Sequence, residues 1–218
     1  MTITPDTVKQ KLASEDLGDR LRGVNEIRQL DPAIGFELVQ SAIKDKNARV
    51  RYSATSQFDT LGGQDLDKSL SILRGLLQDP EADVQAAAAD CLGGLKLVAA
   101  FDELEQLYQS TGEWIVKLSV IAALGELGEP RGFEMLKQAL SEENDLVKTA
   151  AISSMGELGN TQAVSVLAPY AANSDWQIRY RVAQALNRLN TPEAKPVLES
   201  LANDEVEAVA EEAKKNQA

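Results

Sequence analysis

The chain has 218 residues, 44 % hydrophobic but only 5 % aromatic, and carries 34 Asp plus Glu against 22 Lys plus Arg for a formal charge of −12. So acidic a surface repels phosphates, which excludes bare nucleic acid as a partner unless the basic residues gather on one face. Histidine is absent, and with it go the usual general base, the usual zinc ligand and every Ser-His or Cys-His catalytic pair. A core this short of aromatics must be aliphatic and alanine-rich, which suits closely packed helices better than a β-sandwich. The opening Met1 to Asp6 is polar and holds Pro5, with no apolar stretch of the kind that directs secretion. Apolar runs stay near five residues, far short of the ~20 that a bilayer needs, so no membrane insertion is expected. The single cysteine, Cys91, rules out an internal disulfide and fits a reducing cytoplasm.

Along the chain one block recurs: an aliphatic residue, a polar or basic one, small residues, then two leucine-type positions three apart. A weak first copy ends at Ile27 and Leu30. Clear copies begin at Val50, Val84, Val116, Val147 and Ile178, and a last weak one lies around Val209, with start-to-start spacings of 31, 34, 32, 31, 31 and 31 residues. Positions 0, 4, 7, 8 and 11 of the block fall on one face at 100° per residue, so each block predicts an amphipathic helix, here helix B. Gly62, Gly128 and Gly159 follow at equivalent places and suit a left-handed helix end. Between the blocks a second set of helices, A, is predicted over Pro32 to Ile43, Asp65 to Leu77, Ala99 to Tyr108, Pro130 to Leu140, Thr161 to Ala171 and Pro192 to Leu201. Pro32, Pro130 and Pro192 sit where a first-turn proline is harmless, and Asp31 and Thr191 before two of them are good N-caps. Two short helices cannot bury an apolar face alone, so the units must stack. The expectation is an all-α chain, one α-solenoid over residues 1–218 whose B helices line a concave surface. Polar ends, Met1 to Leu17 and Glu205 to Ala218, suit a capped monomer.

Position 1 of helix B reads Arg20, Arg51, Gln85, Lys117, Lys148 and Arg179. A mostly basic ladder in an acidic chain points to an anionic guest, a carboxylate, a phosphate or an acidic protein surface. The alternative is pairing with acids of a neighbouring unit, for which Asp83 and Asp145 are placed. Tyr52 and Tyr180 take position 2, and Trp114 and Trp176 open their helices. Scarce aromatics beside Arg49, Arg51, Arg179 and Arg181 would suit a flat conjugated ligand with acidic substituents, although aromatics at unit boundaries also serve as packing wedges. Asp90, Glu126 and Glu157 fall on the polar side of their helices, either as a solvated face or as acceptors for ligand N–H groups. The candidate groove residues are therefore Arg51, Tyr52, Asp90, Trp114, Lys117, Glu126, Lys148, Glu157, Trp176, Arg179 and Tyr180. The run Ala86 to Ala89 and Gly93, Gly125 and Gly156 put small residues on consecutive B helices, as close helix approach requires. Cys91, at core position 7, reads as a buried small hydrophobe, so neither a metal site nor a cluster-assembly role is expected.

Units such as Asp145-Leu146-Val147-Lys148-Thr149-Ala150-Ala151 with Leu158-Gly159, and Ile178-Arg179-Tyr180-Arg181-Val182-Ala183 with Leu186, resemble the short HEAT-like repeats of the phycobilin lyase family. The segments 14–21, 30–34, 79–88 and 201–210 are similar to a member of that family that acts when light-harvesting antennae are dismantled. The resemblance implies a cytoplasmic cyanobacterial protein whose partners are phycobiliprotein subunits. It also implies a bound linear tetrapyrrole such as phycocyanobilin, as ligand or substrate, and help in detaching it from its cysteine thioether. No catalytic residue transfers position by position. A docking scaffold without bilin chemistry and a lyase working in the attachment direction stand as alternatives.

Overall fold

A computed structural model describes residues 2–215 and contains only helices among them. These are α1 (Pro5–Leu12), α2 (Leu17–Ile27), α3 (Pro32–Ala42), α4 (Ala48–Thr55), α5 (Phe58–Leu61), α6 (Leu66–Leu76), α7 (Ala82–Gly94) and α8 (Phe101–Ser110). They are followed by α9 (Trp114–Leu127), α10 (Gly132–Ala139), α11 (Asp145–Leu158), α12 (Ala163–Leu167), α13 (Trp176–Leu189), α14 (Lys195–Leu201) and α15 (Glu207–Lys214). The chain forms two compact units that divide after Val120, inside α9. In the first unit α2, α4 and α7 pack side by side, with α3 across the seam between α2 and α4 and α6 against α7. In the second, α11, α13 and α15 pack side by side, with α12 and α14 across their seams. This is the repeating two-layer packing of an α-solenoid. No described helix is long and apolar enough to cross a membrane.

The predicted B-helix face is the core. Val50, Ala54 and Phe58 in one block, Val147, Ala151 and Met155 in another, and Val182 and Leu186 in a third are fully buried. Close approach accounts for the small residues: a Cβ on Gly125 would lie 2.7 Å from Ser154 Cβ, and one on Gly156 would lie 2.7 Å from Ala185 Cα. Caps also follow expectation at Asp31, whose side chain accepts from the Ala33 N–H ahead of Pro32. Thr191 does not cap; a single 3₁₀ turn, Pro192–Ala194, follows it and the α-helix begins only at Lys195. Proline shortens another predicted A helix. α12 stops at Leu167 and continues as a 3₁₀ turn over Ala168–Ala172, because Pro169 has no N–H for the α-helical ladder.

The helix predicted from Val50 to Leu61 is broken at Ser56 and Gln57. Thr55 and Ser56 hydroxyls donate back to the Arg51 and Tyr52 carbonyls, which bends a helix. Gln57 occupies a core position, where its Nε2 donates to the Val24 carbonyl at 2.6 Å. The Cys91 thiol donates to the Thr55 carbonyl at 3.3 Å. The Nε2 of a buried amide has thus been satisfied at the expense of a straight helix, while its Oε1 has no hydrogen-bond partner among the described residues.

Gly128 and Gly159 take the left-handed conformation, φ 68° and 75°, as predicted. Gly62 does not, with φ −63°. It is small because its neighbours are close: a Cβ there would meet Leu95 Cδ1 at 2.5 Å, and Ser69 Oγ donates to its carbonyl. The left-handed role passes instead to Lys96 (φ 53°) and Asn190 (φ 46°). Left-handed backbone costs an L-residue ~1–2 kcal/mol, part of which glycine's extra unfolded-state freedom offsets. Lys96→Gly should therefore stabilise the protein by about 0.5–1 kcal/mol, and Gly128→Ala should destabilise it by about 1 kcal/mol, both read as shifts of the urea midpoint at constant slope.

Candidate ligand groove

The basic ladder is where helix geometry places it, and three of its members are occupied. Arg20 Nε and Nη2 donate to Asp45 at 2.7 and 3.3 Å; Arg51 does the same to Asp79 at 2.7 and 2.8 Å, and Arg179 to Asp204 at 2.6 and 2.8 Å. The Nη1 of each turns back to carbonyls five and six residues earlier: Ser14 and Glu15, Asp45 and Lys46, and Asn173 and Ser174. Gln85 keeps the backward bond alone, to the Asp79 carbonyl. Each aspartate in turn accepts the N–H two residues on, at Asn47, Glu81 and Val206, and so shapes the turn into the next B helix. One guanidinium therefore ties the loop before its own helix to the loop before the next.

This pairing corrects the groove reading for Arg51 and Arg179. Both are spent on structure, their partners lie in the loops rather than at Asp83, and neither offers a free fork to a guest. Lys148 pairs with Asp145 at 2.9 Å, within its own helix rather than with a neighbouring unit. Lys117 lies 5.4 Å from the ring centroid of buried Tyr108.

The remaining candidates separate by unit. In the first, Tyr52 on α4 and Trp114 at the start of α9 are each about half exposed. Asp90 is exposed on α7, near Asp59 and within hydrogen-bond reach of the Ser119 hydroxyl. Desolvation by the packed helices pushes its carboxyl above the ordinary range; the Ser119 hydroxyl opposes this and the Asp59 charge adds to it. Cys91 is buried and inert, its thiol pushed up by burial to about 12. Among the described residues no group of three His, Cys, Asp or Glu side chains is placed to hold a metal.

The second unit holds an open cleft of about 340 Å³ between α11, α13 and α15, lined by Ser153, Glu157, Arg181, Gln184, Ala185, Arg188 and Glu212. Glu157, one of the predicted acids, lies in it and pairs with Arg188 at 2.5 Å. Arg181 Nη1 donates to Gln184 Oε1 at 2.9 Å, and Gln184 Nε2 donates to the Tyr180 hydroxyl at 3.2 Å. Glu212 accepts from Lys215 at 2.6 Å. Glu126 lies exposed near the end of α9, Trp176 stands exposed at the start of α13, and Leu146 at the start of α11 is more exposed still. Sequence reasoning missed Gln184 and Arg188 and grouped Arg181 with the scarce aromatics instead. The signal was present: residues 181, 184 and 188 share one face at 100° per residue, about 200° from Arg179.

Two expectations follow. Arg179→Ala leaves Asp204 buried without its partner and should cost about 3 kcal/mol of unfolding free energy, measured in urea, with Arg181→Ala as a near-neutral control. Burial pushes the Asp79 carboxyl up, but hydrogen bonds from Arg51 and the Glu81 N–H outweigh it; Asp204 is held low chiefly by Arg179. Both folded-state values lie below the unfolded value of about 3.9, so this stabilisation is complete above that pH and is lost as pH falls through the folded values. Asp90 has the opposite sign, its burden growing as pH rises through the unfolded value toward the raised folded one. Asp90→Asn should raise the melting temperature at pH 7 and change it less at pH 3.5.

The HEAT-repeat family profile matches residues 37–125, 71–155 and 133–215. Comparison with curated proteins returns no match. Among solved structures, the complex of CpcE and CpcF of phycocyanin lyase from Nostoc sp. PCC7120 is similar at 21 % identity. That alignment covers 100 % of this chain and 90 % of the other, with a TM-score of 0.66. The Escherichia coli protein YibA aligns at 17 % identity, covering 98 % and 81 %, with a TM-score of 0.69. An archaeal HEAT-like repeats protein from Thermococcus onnurineus NA1 aligns at 13 % identity, covering 99 % and 96 %, with a TM-score of 0.57. Identities this low establish a shared fold. Since the profile matches run together from residue 37 to residue 215, the chain belongs to the HEAT-repeat family.

Proposed function

We propose that this chain is a phycobilin-handling protein of the lyase type, close in role to the phycobilisome degradation protein NblB, whose segments its sequence resembles. It docks on phycobiliprotein subunits in a cyanobacterial cytoplasm, as a monomer, and takes hold of their linear tetrapyrrole so that the chromophore can be detached. The observation that carries this reading is the cleft on the second unit. In an acidic chain its lining carries two guanidiniums, Arg181 and Arg188, on a B-helix face, with the Tyr180 hydroxyl hydrogen-bonded to the lining residue Gln184. A conjugated molecule with two propionates matches that chemistry. The likeness of the fold to the phycocyanin lyase chains over nearly their whole length supports it.

Detachment of a bilin from a cysteine thioether is an elimination. The carbon–sulfur bond breaks with its electron pair going to sulfur, which takes up a proton, while the neighbouring ring carbon gives one up and regains its double bond. Such a step needs positioning and a place for protons rather than a protein nucleophile. Without histidine, the groups able to carry them are a carboxylate, such as the exposed Asp90, with its raised pKa, Glu126 or Glu157 on B-helix faces, or a tyrosine such as Tyr180. The reverse reaction, attachment, uses the same geometry.

A docking scaffold without chromophore chemistry is the second reading, favoured by Leu146 and Trp176, 56 % and 43 % exposed at the starts of adjacent B helices. The two readings part on one experiment. The protein is mixed with phycocyanobilin and, separately, with holo-phycocyanin; absorption is recorded, and protein-bound chromophore is followed on denaturing gels. A shifted, sharpened band and loss of bound bilin are expected. No shift and no loss, with phycocyanin still co-eluting on a sizing column, would leave the scaffold.

A further inference from the structure

We infer that the cleft of the second unit is a carboxylate subsite, in which Arg181 seats a propionate of the linear tetrapyrrole and Arg188 is held in reserve for the second. The inference rests on the functional reading above and adds to it the group recognised and the residues that recognise it.

The argument begins with what the guanidiniums of α13 already have. Arg179 holds both oxygens of Asp204 and two loop carbonyls, so it has nothing left to give. Arg181, two residues on, faces the other way. Its partner is the neutral Gln184 carboxamide, whose own Nε2 is anchored on the Tyr180 hydroxyl. Gln184 thus orients the fork through one Nη1 hydrogen without neutralising its charge. The other donors of Arg181 meet no carboxylate among the described residues, although the cleft wall carries two. Those two are engaged elsewhere, Glu157 by Arg188 and Glu212 by Lys215. A planar fork with open donors, oriented by a neutral neighbour, is the arrangement that takes a carboxylate in bidentate fashion.

Position 3 of the other B helices gives this residue its meaning. It is Arg22, Ser53, Ala87, Ser119, Ala150 and Glu212. Arg22, the one other cation, pairs with Asp19, so a position-3 cation without a carboxylate partner is particular to α13 among the described residues. Arg188 lies two turns further along the same stripe, about 10 Å of helix rise from Arg181. Its exposed pair with Glu157 is of the weak, exchangeable kind. A ligand with two carboxylates on flexible arms could meet Arg181 first and displace Glu157 from Arg188 second. At about 340 Å³ the cleft accommodates part of a tetrapyrrole, the end that bears the acids, and leaves the rest over the α13 surface.

The test titrates the full chain with biliverdin and with its dimethyl ester, in wild type, Arg181→Ala, Arg181→Lys and Glu157→Gln, following the bilin absorption band; circular dichroism confirms that each variant is folded. The free acid should bind about tenfold or more tighter than the ester. Arg181→Ala should bring the acid down to the level of the ester without changing the ester, Arg181→Lys should recover part, and Glu157→Gln should tighten the acid severalfold by releasing Arg188. Equal binding of both bilins, unaffected by Arg181→Ala, would overturn the carboxylate subsite and leave bilin binding standing. Binding of neither would overturn the functional reading and the subsite with it.

Discussion

A pair of three-turn helices has one apolar stripe too many to keep dry by itself, and everything else in this protein follows from the stacking that this forces. Stacking sets the spacing of the B helices. That spacing demands glycine at 125 and 156, where a single methyl group would run into the neighbouring backbone or side chain. It also lets an A helix lie across each seam, so that α3, α12 and α14 are held by two B helices rather than one. Apolar burial of this kind has no direction of its own. It brings helices together but does not say how the loops between them should be arranged.

The arginine–aspartate staples supply that direction. A guanidinium fork reaching forward to the next loop and back to its own fixes both ends of the crossing, and the aspartate that receives it also shapes the next turn. These pairs are nearly buried, so their net contribution to stability is small compared with the loss when one partner is removed. Their value is in register: they favour one relative placement of successive loops. The cost is that half of a ladder that looks from the sequence like a binding surface is already engaged.

In the proposed reading, ligand chemistry falls to the residues that stacking and stapling do not use. On α13 these are positions 3, 6 and 10, a stripe that faces away from both the core and the loops. The contrast between Arg179 and Arg181 shows how little separates the two roles. Two residues of helix turn one guanidinium into a structural clamp and the other into an open donor.

Much of the fold was legible in the sequence because it depends on local periodicity. The ~31-residue repeat, the buried face of helix B, the capping Asp31, the left-handed ends at Gly128 and Gly159 and the buried Cys91 all follow from spacing and residue type. Lys96 and Asn190 were not legible as left-handed ends, since the strain there is accepted by residues that give no local warning. The break after Thr55 was hidden for a similar reason, because a glutamine at a core position reads as a tolerated exception until its amide is seen to reach across to α2. The staples did leave a trace: Arg20 and Asp45, Arg51 and Asp79, and Arg179 and Asp204 are separated by 25, 28 and 25 residues, and neutral Gln85 is followed by neutral Thr111 at 26. That trace becomes a contact only when the loops are brought side by side. By itself, then, the sequence determined that this is a helical repeat chain without histidine or disulfide chemistry, and which face of each helix is dry, because those properties belong to residues within one or two turns of each other. Only the tertiary structure decided which arginines remain available, because a charge is free or spent according to what lies opposite it, and what lies opposite comes from another repeat.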